Sequence, residues 1–344
     1  MSIEREPRTM KPIAIAVIMT ASAFTLGACS NGGTTTQTGD VCTSLPPLAM
    51  KSTYRVGFAQ LYEENGPWRN ANTQSIMDEA GKRGYELVYH AGTKSDASEQ
   101  VARMQELIDA KVDVIIIAPH DETILAPSVV AARRACIPVF VEDRAVDTTV
   151  AIPGVDYVSY IGSDFRKEGE LTADWLIAKT GGQAKIIEIE GTIGSSPGVQ
   201  RKQGFDAAIA GQTGMSILVS QSGDFNEQMG HDLTLSLVPA NPTANVIYSH
   251  NDAMSFGVIT ALQELGKVPG QDMMIVSIDG TRQGTQDIID GQIAEITECN
   301  PKFGPIIFDT IESYARGEQV PLVLKNTDRF FDATNAADYL PEAF

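Results

Sequence analysis

Short apolar runs rich in β-forming residues recur from Tyr54 onward, each followed by an amphipathic stretch, and the whole alternation occurs twice along the chain. Val56-Gly57-Phe58, Leu87-Val88-Tyr89, Val114-Ile115-Ile116-Ile117 and Val139-Phe140-Val141 make the first series. These runs are continuous, which suits strands buried on both faces of a parallel sheet. Between them Ile76, Met77 and Ala80, then Val101, Met104, Leu107 and Ile108, recur at helical spacing as core stripes. The pattern restarts after Tyr160-Ile161-Gly162, with Ile186-Ile187-Glu188-Ile189, Ile217-Leu218-Val219, Val246-Ile247-Tyr248 and Met274-Ile275-Val276. Trp175 falls in phase with Leu171 on a helix and belongs to the core. Two successive βαβ series predict an α/β fold of two doubly wound parallel-sheet lobes. A last helix over 301–316 follows a strand over 293–297, and its spacing leaves open whether it returns to the first lobe.

The first 28 residues carry a different signal. Arg5, Arg8 and Lys11 precede an apolar segment over 13–24, too short to span a bilayer as a mature helix. Leu26-Gly27-Ala28-Cys29 then has the small-small-Cys ending of a bacterial lipoprotein signal, which predicts removal of 1–28 and lipidation at Cys29. Residues 29–52 follow as a Ser/Thr/Gly-rich flexible tether. The mature protein is thus expected outside the cytoplasm, held to the cell membrane by its lipid. A net charge of -18 argues against nucleic acid, which is gripped through Lys and Arg. The acidic excess is spread along the chain and serves solubility. Of the remaining cysteines, Cys42 and Cys136 both precede predicted strands and so fall at the same sheet edge. A Cys42–Cys136 disulfide and free buried thiols both fit that placement, with Cys299 left over.

In open α/β sheets, ligands sit beyond the carboxyl ends of the strands. The residues at those positions are polar and planar: Glu63, Glu64, Trp68 and Arg69, then Asp143 and Arg144, then Arg201, Asp224, Phe225, His250, Asn251, Asp252, Asp279 and Glu298. Carboxylates accept, guanidinium forks donate and an Asn amide does both, while flat rings pack on C–H faces. That set fits a small polyhydroxylated ligand, with Trp68 and Phe225 placed to sandwich its apolar face. Arg69, Arg144 and Arg201 are offset by Asp143, Asp279 and Glu298, a balance that favours a neutral sugar over a sugar acid or phosphate. Asn251 and Asp279 taken singly also suit helix caps. Gly191-Thr192-Ile193-Gly194 matches neither nucleotide-binding glycine spacing, and the four histidines show no metal-ligand spacing. No cofactor or metal is therefore expected. Asp143 with Glu298 could flank a glycosidic bond, yet neighbouring arginines would keep both ionised, unlike a general acid.

With those residues assembled, the chain resembles the periplasmic sugar-binding proteins of the ribose/galactose type that serve ABC transporters, with the galactofuranose-binding members most alike. The resemblance is carried by Gly66-Pro67-Trp68-Arg69, Asp143-Arg144, Glu190-Gly191-Thr192, Arg201-Lys202-Gln203-Gly204-Phe205, Gly223-Asp224-Phe225, His250-Asn251-Asp252-Ala253-Met254 and Ser277-Ile278-Asp279-Gly280. Pro67 adds a residue to the first loop of that pattern, and Tyr62 and Glu63 differ there. The resemblance implies that Trp68, Arg69, Asp143, Arg144, Arg201, Phe225, Asn251, Asp279 and Glu298 line an interlobe cleft. It implies crossovers near 162–164, 298 and 326–328, giving lobes of 53–162 plus 299–327 and of 163–298 plus 328–344 joined by a three-strand hinge. The expected function is a non-enzymatic, monomeric solute-binding lipoprotein that delivers a neutral monosaccharide (galactofuranose, galactose or arabinose-like) to an ABC permease. A sugar-sensing protein that presents its ligand to a chemoreceptor or sensor kinase is the alternative. A repressor of the lactose type would need a DNA-binding helix pair where the signal and tether stand.

Overall fold

The computed structural model describes residues 41–61, 66–92 and 96–344. The expected signal peptide, the lipidated Cys29 and residues 29–40 of the tether lie outside the described residues, as do Tyr62, Glu63 and Glu64.

The first series builds β1 (Arg55–Gln60), α1 (Gly66–Arg83), β2 (Glu86–Ala91), α2 (Ala97–Asp109), β3 (Val114–Ile117), α3 (Glu122–Arg134), β4 (Val139–Glu142) and β5 (Ser159–Gly162). The second builds α4 (Phe165–Thr180), β6 (Ala184–Glu190), α5 (Ser196–Ile209), β7 (Met215–Ser222), α6 (Glu227–Ala240), β8 (Val246–Ser249), α7 (Asp252–Glu264), β9 (Met274–Asp279), α8 (Arg282–Ile289) and β10 (Glu295–Glu298). The chain then adds α9 (Gly304–Ala315), β11 (Val323–Lys325), β12 (Phe330–Asp332) and α10 (Ala336–Tyr339). One six-stranded sheet runs β11-β5-β4-β3-β1-β2 and is wholly parallel. The other runs β12-β10-β9-β8-β6-β7, with only β12 antiparallel to its neighbour. This is the α/β architecture of two doubly wound sheets. Continuous apolar runs inside the sheets become fully buried strands, with Val114, Ile115, Ile116 and Ile117 all at 0% exposure, whereas those expected to be equally covered in the edge strands β2 and β7 stay partly exposed.

Helices start where side chains satisfy their first N–H groups. Asp121 accepts from the backbone N–H of Thr123 and Ile124, Asn226 from Met229, Asn251 from Met254 and Thr281 from Gly284. Each such cap contributes about 1 kcal/mol. Because every parallel strand ends on the same edge, these caps gather along the carboxyl edges of the two sheets.

The chain passes between the sheets three times, after β5, after β10 and after β11. Helix α9 returns to pack on α1. The crossing segments are laced together: the Asp328 carboxylate accepts from the Ser163 hydroxyl at 3.3 Å and the Asn300 backbone N–H at 3.4 Å, while the Asn326 amide donates to the Asn300 carbonyl at 3.1 Å.

One boundary needs correction. The tether expected over 29–52 is not free along its whole length. Cys42 and Cys136 form a disulfide with Cα atoms 5.2 Å apart, Leu48 is buried, and Tyr314 donates to the Pro46 carbonyl at 2.7 Å. Leu45 and Leu48 bring apolar surface that the base of the first sheet can cover, and the disulfide fixes their approach. The two cysteines are 94 residues apart in sequence, a long loop whose closure contributes up to about 4–5 kcal/mol on an entropic account. A fragment beginning at Asp40 should therefore expose one reactive thiol, Cys299, when denatured without reductant and three when reduced. Its melting point should fall by roughly 10 °C on reduction. Three thiols without reductant would show that no bridge forms.

Several carboxylates are fully enclosed. Glu295 on β10 accepts from the Thr297 hydroxyl at 2.7 Å, while its Oε2 has no partner among the described residues. Burial pushes its pKa up to about 8, and burial likewise pushes Glu142 to about 8. The folded state then holds protons that the unfolded chain has released above its ordinary carboxylate range, so stability declines as pH rises from about 4 toward 8. Thermal denaturation should give a higher midpoint at pH 5.5 than at pH 8.5. Glu295→Gln should flatten that slope and raise the midpoint at pH 8.5, by roughly 2–4 °C per kcal/mol recovered.

Candidate functional site

A cavity opens between the carboxyl edges of the two sheets, with about 400 Å³ of empty space that includes its open mouth, lined by Trp68, Arg69, Asp143, Arg144, Pro197, Arg201, Phe225, Asn251, Asp279 and Cys299. Contact across it is direct: the Ala145 backbone N–H, following β4, donates to the Ser196 hydroxyl at the start of α5 at 2.8 Å.

Trp68 and Arg69 come from the first turn of α1. The Trp68 indole N–H donates to the Cys299 carbonyl at 2.6 Å, which fixes the ring, and the Arg69 guanidinium lies 4.7 Å from the ring centroid. Arg69 pairs with Asp143 and also reaches Gln60 at 3.3 Å and Asn72 at 3.4 Å. Asp143 follows β4 in a left-handed conformation, φ 55°. Arg144 comes next. Its Nη1 donates to the His120 carbonyl at 3.1 Å, but among the described residues its buried Nε has no partner and no carboxylate hydrogen-bonds it. Burial first, then repulsion from Arg69, lowers the Arg144 pKa to about 10, so it stays charged at neutral pH.

The opposite wall is built by the second sheet. Arg201 on α5 donates through Nε to Glu168 at 2.7 Å and through Nη1 to the His250 carbonyl at 2.6 Å. Burial opposes its charge, but the Glu168 carboxylate keeps the guanidinium firmly protonated. Phe225 lies beneath two guanidinium groups, with Arg144 5.6 Å and Arg201 5.7 Å from its centroid. Asn251 spends its side-chain oxygen capping α7 at 3.0 Å from the Met254 N–H, and its amide donors have no protein partner among the described residues. Both roles read from its position, cap and lining residue, hold together. Asp279 ends β9 with φ 141°, and among the described residues its carboxylate accepts only a long 3.4 Å bond from the Asp252 N–H. Burial, then the neighbouring Asp252, raises its pKa well above the carboxylate range.

Eight of the nine side chains expected at the cleft meet in this cavity; Glu298 does not. Its carboxylate takes a two-pronged grip from Arg329, at 2.8 and 2.9 Å, and accepts the Arg329 backbone N–H at 3.2 Å. The residue ends β10 as expected, but β12 brings Arg329 over that strand end and turns the carboxylate away. The same geometry removes the Asp143–Glu298 carboxylate pair, since Asp143 is held by Arg69. Pro197 and Cys299 line the cavity without having been singled out for it. Neither residue type signals a contact with a hydroxylated ligand, although Pro197 sits in the first turn of the helix that carries Arg201. His250 stands behind the wall, with its ring on Glu188 at 3.1 Å. Trp175 donates to Asp332 at 2.9 Å, outside the cavity lining.

Comparison with known proteins places this geometry. Residues 56–319 match the family model of the periplasmic binding protein domain. The chain is 33% identical to the galactofuranose-binding protein YtfQ of Escherichia coli K12, over 88% of this chain and 92% of that one. Among solved structures it resembles a Mycobacterium smegmatis protein in complex with β-D-fucofuranose, at 33% identity and a TM-score of 0.80, covering 84% of this chain and 94% of that one. It also resembles the periplasmic binding component of the arabinose ABC transporter of Shewanella sp. ANA-3, bound to α- and β-L-arabinofuranose, at 31% identity and a TM-score of 0.78, covering 84% and 95%. With its fold, its cleft and a match across most of its length, the chain belongs to the periplasmic binding protein family.

Proposed function

We propose that this protein is the solute-binding subunit of a carbohydrate ABC importer, anchored outside the cytoplasm through Cys29, which holds a neutral monosaccharide in the cleft and passes it unaltered to a permease. The two sheets act as lobes, 53–162 plus 299–327 and 163–298 plus 328–344, that turn about the three crossing segments in a single-chain, monomeric receptor. Ligand shifts the population toward the closed arrangement by touching both lobes at once.

The observation that carries this reading is the division of charge in the cavity. Arg69 is neutralised by Asp143 and Arg201 by Glu168, both inside the protein. Arg144 from one lobe and Asp279 from the other have no ion-pair partner among the described residues and face one cavity. A donor fork and an acceptor on opposite walls, with the Asn251 amide beside them and the Trp68 and Phe225 rings present, fit hydroxyl groups on an apolar-faced ring. A sugar acid or phosphate would satisfy Arg144 but bring a further negative charge toward Asp252 and Glu168, which already oppose ionisation of Asp279. Three relatives carry furanose sugars in their names or complexes, which supports a five-membered ring as the ligand's form.

Calorimetry against L-arabinose, D-galactose, D-fucose and D-ribose should give saturable heat with at least one of the furanose-forming sugars, and none with their uronic acids or phosphates. Absence of heat with every monosaccharide would overturn the proposal. Arg144→Ala or Asp279→Ala should weaken binding by roughly tenfold or more, because each leaves a buried partner unpaired at about 1–3 kcal/mol. Unfolding midpoints without sugar should change little. Trp68→Ala should abolish any sugar-induced change in tryptophan fluorescence, because the remaining Trp175 lies outside the cavity lining.

A further inference from the structure

The Phe225 ring stands on a backbone floor that allows no side chain. Gly191 follows β6 directly, and a Cβ built on it would fall 1.9 Å from the Phe225 Cζ and 2.3 and 2.4 Å from the two Cε atoms. Real atoms do not approach so closely, so any larger residue at 191 must displace the ring. The floor itself is pinned from two sides. The Gly191 N–H donates to His250 Nδ1 at 3.3 Å, and the Gly191 carbonyl accepts from the Ser222 hydroxyl at 2.6 Å. With Nδ1 accepting, the His250 proton resides on Nε2 and is given to Glu188 at 3.1 Å.

The loop that delivers the ring is equally constrained. Asp224 and Phe225 both have left-handed backbones, φ 54° and 56°, a conformation unfavourable for a bulky side chain. The turn holds because Ser222, besides donating to Gly191, accepts from the Asp224 N–H at 3.3 Å, and the Gly223 N–H donates to the Glu190 carbonyl at 2.8 Å. Ser222 thus ties the floor to the loop carrying the platform. Glu188, His250, Gly191 and Ser222 form a continuous support under a half-buried ring that packs against the core of the second sheet.

We infer that Gly191 and Ser222 are positioning residues for the Phe225 platform, and that the missing Cβ at 191 sets the height at which a ligand's C–H face can rest, and hence affinity and sugar choice. This rests on the sugar-binding reading above. The test is a double-mutant cycle read by calorimetry with L-arabinose and D-galactose. Gly191→Ala should weaken binding of the better-bound of the two by roughly tenfold or more, and should narrow the preference between them. In a Phe225→Ala background the same substitution should change affinity by less than about twofold, because no ring is left to displace. Ser222→Ala should follow the same pattern, with a loss of roughly threefold to tenfold that vanishes without Phe225. Circular dichroism checks folding, and should Gly191→Ala fail to fold, the Ser222→Ala pair decides. Equal losses in the two backgrounds, or undiminished affinity in Gly191→Ala, would overturn the inference while leaving sugar binding intact. A parent protein that binds neither sugar nor any other monosaccharide would instead remove the sugar-binding reading, and this inference with it.

Discussion

Two parallel sheets that turn their carboxyl edges toward one cavity are the constraint on which everything else depends. A parallel sheet sends every strand end to the same side, so each strand-to-helix turn arrives at the cleft whether or not it is used there. The turns need polar side chains to cap helices, and the cleft needs polar side chains to hold a ligand. Asn251 meets both demands with different atoms. The positive φ values at Asp143, Asp224, Phe225 and Asp279 all fall on these turns, where the chain is bent most sharply to aim side chains inward.

Electrostatics then sorts those side chains into fixed and available. Burying three guanidinium groups around one cavity would be prohibitive without compensation. Asp143 and Glu168 supply it for Arg69 and Arg201, and the His250 and His120 carbonyls add neutral acceptors. Two of the three guanidinium charges are therefore paired within the walls, while polar groups are left available at chosen points, Arg144 on one wall and Asp279 on the other. Aromatic surface at Trp68 and Phe225 completes a lining that discriminates by hydrogen-bond pattern more than by net charge.

Much of this was legible in the residues. Continuous apolar runs identified buried parallel strands because a strand covered on both faces has no polar alternation to confuse it with a surface one. The strand-end rule located the cavity lining because topology decides where those α-carbons go. It failed at Glu298, since position along a strand does not say which way a carboxylate turns once an unforeseen neighbour, Arg329, arrives from β12. Glu168, the partner of Arg201, gave no signal, for it lies 33 residues earlier on a different helix and its role depends on how α4 and α5 pack. Cys299 was noticed for its sulfur but contributes a carbonyl to Trp68 as well as a wall to the cavity, and backbone contributions carry no mark in residue type. The docking of residues 42–48 was hidden by a composition rich in Ser, Thr and Pro that resembles a spacer.

The disulfide has a mechanical consequence. Cys136 precedes β4, so the covalent fastening lies at the amino-terminal rim of the first sheet, behind the strands and opposite the cavity. The laced crossings at Ser163, Asn300 and Asp328 follow strand ends and so lie at the opposite, carboxyl edge. Covalent fastening and hydrogen-bonded lacing thus hold opposite rims of the same sheet.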